Sequence, residues 1–143
     1  MKKLLFIALL LFTTVEMVTF TGCSTPPPIA PSAESRFLGK WTMLSAVSVT
    51  TTNGTSTPQT TNFTANDYFE FKTGGVVTIF ESGATRTGTW KIENDRVFFT
   101  GTNNHMENTP GWAVLVLTAN ELQFYNKEVT TSSTTEFTLN LAR

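Results

Sequence analysis

The chain has almost none of the side chains that carry covalent or metal chemistry. Cys23 is its one cysteine and His105 its one histidine. An intramolecular disulfide is therefore excluded, and a zinc site would lack most of its usual sulfur and nitrogen donors. Charge is sparse too: Asp, Glu, Lys and Arg make up 15% of the 143 residues, and the formal net charge is -1. That balance offers nothing to a phosphate backbone, so no nucleic-acid partner is expected. Catalytic patterns are missing as well. His105 lies close to Glu107 in the polar stretch GTNNHMENTPG, where a His–carboxylate pair could act as a base, but no motif places a serine or cysteine nucleophile beside it. A solvated loop histidine is the simpler reading. Asp67, Glu70 and Glu81 are scattered along alternating segments and read as the wet sides of strands. The glycines of TGG and TGT precede no helix, so none forms a phosphate cradle. The expectation is a protein that is not an enzyme and uses no cofactor and no metal.

Hydrophobic runs of bilayer length are also lacking. Leu4–Phe12, LLFIALLLF, is unbroken but well short of the ~20 apolar residues that span a membrane. Lys2 and Lys3 before it, and small residues after it, make a secretory signal over residues 1–22. The stretch FTGC, Phe20–Cys23, resembles the bacterial lipobox, with Phe where Leu is usual. That resemblance implies cleavage before Cys23 and lipidation of its thiol, the nucleophile that can take a lipid as a thioether. Two or three acyl chains, at about 0.8 kcal/mol per buried methylene, hold a protein stably on a membrane. No acidic residue follows Cys23 directly, which points to the outer membrane, on its periplasmic or surface face. STPPPIAPSAES then reads as a tether over residues 23–36, since proline favours extended backbone.

What the chain does have is threonine, 28 copies. This β-branched polar residue suits the solvated face of a sheet. From residue 37 to 143 the pattern is short alternating or apolar runs divided by turn residues. KWTMLSAVSVT sets Trp41, Met43, Val47 and Val49 on one face; then come YFEFK, VVTIFE, TRTGTWKI, VFFT, WAVLVL, LQFYNKE and TEFTLNLA. These make eight strands, with longer links after the first (TTNGTSTPQ, continuing through Asn66) and before the sixth. No crossover helix separates them, so the pairing is antiparallel. The spacing predicts an all-β fold, an eight-stranded antiparallel up-and-down barrel, with a β-sandwich as the alternative.

LGKWTMLSA, Leu38–Ala46, resembles the Gly-x-Trp opening of the lipocalins. The segment YFEFKTGGVVTIFESGATRTGTWKIENDRVFF is similar to the short lipocalin-like lipoproteins of Bacteroidetes. Together the resemblance spans about Leu38 to Arg143. It implies a lipocalin-like barrel closed at one end by Gly39 and Trp41, with Arg143 as the basic residue that packs across the indole. It also implies a binding module for a small apolar or amphipathic ligand. Nine of the twelve phenylalanines and all three tryptophans follow Cys23, enough to line a pocket or to fill the interior solid. Phe69, Phe71, Trp90, Trp112 and Phe124 are the candidate ligand-binding residues, with filling expected near Trp41, a cup at the other end, and NNHMENTPGW as a flexible lip. The alternative is a solid barrel that docks a protein partner in the cell envelope.

Overall fold

A computed structural model describes residues 32–103, 106–107 and 110–143. The expected signal (1–22), Cys23, most of the expected tether and His105 lie outside the described residues. The described part of the tether is not all extended. Ser32 caps a helical turn, α1 (Ala33–Phe37), its hydroxyl accepting from Ser35 N–H at 3.2 Å. The boundary expected at Phe37 thus falls inside that turn, and Phe37 is buried in the core.

Nine strands follow among the described residues: β1 (Gly39–Thr52), β2 (Thr55–Asn62), β3 (Tyr68–Lys72), β4 (Val76–Glu81), β5 (Ala84–Glu93), β6 (Arg96–Thr100), β7 (Trp112–Leu117), β8 (Glu121–Val129) and β9 (Ser133–Ala142). All the pairings are antiparallel, in the order β2-β1-β3-β4-β5-β6-β7-β8-β9, and β1 also pairs with β9. That last pairing closes a barrel of eight strands, as the strand spacing predicts, and leaves β2 as one strand more. The link after the first strand is therefore mostly a strand, with only residues 63–66 of it irregular. Asn53 and Gly54, at φ 50° and 80°, form the tight turn that matches strand twist, and β2 folds straight back on β1.

β1 is long enough to serve two neighbours along one edge. Gly39–Thr42 pairs with β3, and Ser45–Thr52 pairs with β2. Its second half, with β2, β9 and the end of β8, rises past the barrel as a threonine-rich sheet, in which β2 is exposed throughout. We call this end the mouth. The other end, where Gly39 and Arg143 meet, is the base.

Two bulges shift the inward face. Met43 pairs with Leu141, but Ala46, three residues on, pairs with Leu139 two residues back. The extra residue, Leu44, is turned out and is 51% exposed. A bulge of one residue inverts the alternation beyond it. Trp41 and Met43 therefore face inward, but Val47 and Val49 do not share their face; Ala46 and Ser48 do. Leu115 is ejected in the same way between Val114 and Val116 of β7.

Candidate functional site

At the base the barrel is solid. Phe37 enters from α1 and stands 5.5 Å from Phe71, 5.6 Å from Trp90 and 6.1 Å from Phe124, ring centre to ring centre. Phe71 and Trp90 meet edge to face at 5.0 Å, a favoured aromatic geometry. Below this plug lies the group formed by Gly39, Trp41 and Arg143. Trp41 is fully buried, and its indole N–H donates to the Phe37 carbonyl at 2.7 Å. The Arg143 guanidinium lies 3.9 Å from the Trp41 ring centre. It donates to the carbonyls of Arg36, Phe37 and Leu38 at the end of α1, which lack intrahelical partners. Gly39, at φ 110°, takes a backbone conformation that side chains disfavour, and the guanidinium packs beside it. These three residues are brought together, and what they do is close an end.

At the mouth the interior opens into a cup of about 350 Å³. Its apolar wall includes Met43, Phe63, Phe69, Met106, Trp112 and Leu139, and Phe137 stands toward the rim. Of the five aromatic candidates, Phe69 and Trp112 line the cup. Phe71, Trp90 and Phe124 do not: all five alternate inward, but these three sit at the level of Phe37 and are consumed by the plug. Met43, Phe63, Met106 and Phe137 were not among the candidates. Met43 and Phe137 carry a readable signal, inward parity on strands that flank the opening. Phe63 and Met106 lie on connections, where no periodicity marks them.

The stretch expected as a lip is folded inward where it is described. Met106 is buried, and its carbonyl accepts the Trp112 indole N–H at 2.8 Å. Glu107 accepts from Asn103 N–H and, at 3.0 Å, from the Thr102 hydroxyl. The Asn103 N–H, against the opposing effect of burial and with the help of Thr102, holds the Glu107 carboxyl below its ordinary value. Gly88 admits this strap: a Cβ there would stand 2.7 Å from the Thr102 methyl.

A second carboxylate also braces the rim. Asp67 is 3% exposed and accepts from Thr64 N–H at 2.7 Å, the Thr64 hydroxyl at 2.8 Å and Ser82 N–H at 2.8 Å. It ties the approach to β3 to the turn between β4 and β5. The Thr64 bonds first, then that from Ser82, lower its pKa. Glu81 is the charged residue of the lining, and Arg86 pairs with it at 3.3 Å.

Among the described residues there is no group of three or more His, Cys, Asp or Glu that could hold a metal, and no helix long and apolar enough to cross a membrane. Comparison with family models, with curated proteins and with solved structures returns no match. The site is therefore read from its own geometry.

Proposed function

We propose that the protein is a lipid-anchored, lipocalin-like binding module of the bacterial cell envelope, holding a small apolar or amphipathic molecule in the mouth of its barrel. The observation that carries this reading is the half-open cup of about 350 Å³ with a mainly apolar wall. Pockets of this size and character are the usual sites for small ligands. An aromatic-rich barrel could have packed solid throughout, as it does around Phe37. The reading places Cys23 as the lipidated residue, the outer membrane as the location, and binding rather than catalysis as the task.

The test has two arms. The full chain should enhance the fluorescence of N-phenyl-naphthylamine saturably, and Phe69→Trp, which fills the cup, should abolish this; no binding at any concentration would overturn the reading. In cells, Cys23→Ala should move the protein from the membrane fraction to the soluble one, and unchanged membrane association would remove the anchor. A second reading, an interaction module for a protein partner, draws on the exposed, uncharged β2. Probe binding at the cup separates the two.

A further inference from the structure

Asn126 is the buried polar residue that the fold does not explain. It is 0% exposed, and its Nδ2 has no hydrogen-bond partner among the described residues. Buried amides are nearly always paired, and an orphaned donor lowers stability. Its orientation follows from strand parity. Leu122, Phe124 and Asn126 alternate as the buried residues of β8, so the side chain faces the barrel interior. Its level follows from register. Asn126 pairs with Phe137 on β9 and lies one residue past the Ala113–Tyr125 pair, which sets it beside Trp112. Phe137 and Trp112 both line the cup, and Asn126 lies behind them, outside the lining itself. The Asn126 Oδ1 accepts from Lys127 N–H at 2.6 Å, so what the side chain has left to offer the interior is a donor.

We infer that the ligand of the cup is a small neutral molecule bearing one hydrogen-bond acceptor, a carbonyl or ether oxygen, and that this acceptor takes its hydrogen bond from Asn126 Nδ2, reached between Phe137 and Trp112. The inference rests on the cup being a binding site. Neutrality follows from the lining, which among the described residues holds no lysine or arginine, and whose charged residue there, Glu81, is a carboxylate already paired with Arg86. An anionic head group would shed its water there without a cation to replace it. Size follows from the volume: at ~30 Å³ for each water-sized group, about a dozen heavy atoms fit. A long acyl chain would have to extend past the mouth, along the projecting sheet.

Butylbenzene and butyrophenone differ by one carbonyl and match this size; phenylbutyrate supplies the anionic form. With the full chain, butyrophenone should displace N-phenyl-naphthylamine, and phenylbutyrate should do so much less well. Asn126→Leu should still bind butylbenzene, while its preference for butyrophenone over butylbenzene drops about tenfold, the value of one buried hydrogen bond. In the unsubstituted chain the Asn126 side-chain amide resonances should shift with butyrophenone and not with butylbenzene. Equal preference in both chains, tighter binding of phenylbutyrate, or an unmoved Asn126 amide would each overturn the inference and leave the cup intact. If neither neutral ligand binds, the cup itself is the error and the inference falls with it.

Discussion

At the base of the barrel, Phe37, Phe71, Trp90 and Phe124 fill the interior ring against ring, and Arg143 lies over Trp41 as a cover. At the mouth, an equally aromatic wall stands apart around open space, and two carboxylates hold its rim in place. One end is held by burial of apolar surface, which is insensitive to pH; the other is held by hydrogen bonds to charged acceptors, which are not. The difference suits a container, whose base must not move and whose rim must be ordered without being filled.

The largest effect should come from the plug. Phe37→Ala removes a ring that touches three others and should lower unfolding stability by about 3–5 kcal/mol. Phe63→Ala, at the partly exposed wall of the cup, should cost about 1–2 kcal/mol, because little surface there is taken from water. Denaturant midpoints measure both. Equal costs would mean that the two ends are packed alike and that the contrast drawn above is wrong.

The second effect is acid sensitivity confined to the mouth. Asp67 and Glu107 both titrate below their ordinary values of 3.8 and 4.5 in the folded protein. A carboxyl whose pKa falls on folding contributes stability that is fully present above its unfolded pKa. That contribution disappears as pH drops through the folded pKa. Below about pH 4, amide exchange at Thr64, Ser82 and Asn103 should therefore quicken before exchange at Trp41 does. Asp67→Asn should loosen Thr64 and Ser82 at neutral pH and remove their share of the acid response. Simultaneous loss of protection at both ends would show that the carboxylates do not act locally.

Much of this was legible in the sequence, and the failures have a common cause. Alternation and turn chemistry are local, so the barrel strands could be read directly, and the position of Trp41 near an end followed from the Gly-x-Trp resemblance. Bulges are decided by the partner strand: nothing in MLSAV marks Leu44 as the residue to be ejected, and Val47 and Val49 were assigned to the wrong face as a result. Three of the five aromatic candidates, Phe71, Trp90 and Phe124, miss the cup for a similar reason. Parity says that Phe69, Phe71, Trp90, Trp112 and Phe124 point inward, but the height of each along the barrel axis depends on strand stagger. That height separates plug from cup. Asn126 was within reach, since counting by twos from Leu122 turns it inward. A polar residue in NKE reads as solvated only if parity is ignored.

β2 escaped for a different reason, and it offers the smallest and most local prediction. TSTPQTTN is polar on both faces and contains a proline, which in a strand is tolerated at an edge. It is an edge here: β2 stands first in the sheet order, with β1 on one side and, among the described residues, no strand on the other. Counting from the two-residue turn, antiparallel pairs alternate between hydrogen-bonded and non-bonded, and Val49–Pro58 is a non-bonded pair. The nitrogen of Pro58 thus faces outward, along the free edge, where any other residue would present an N–H to a passing strand. A projecting, uncharged β-edge invites pairing with a second copy, and an outward proline interrupts it. Pro58→Thr leaves every bond to β1 in place, so folding stability should change by less than about 1 kcal/mol. The effect should instead be on association. Sedimentation velocity at rising concentration should show Pro58→Thr forming dimers or larger species where the unsubstituted chain does not, with no loss of binding at the cup. If the variant sediments like the parent, the β2 edge is kept apart by the twist of the projecting sheet and not by the missing donor.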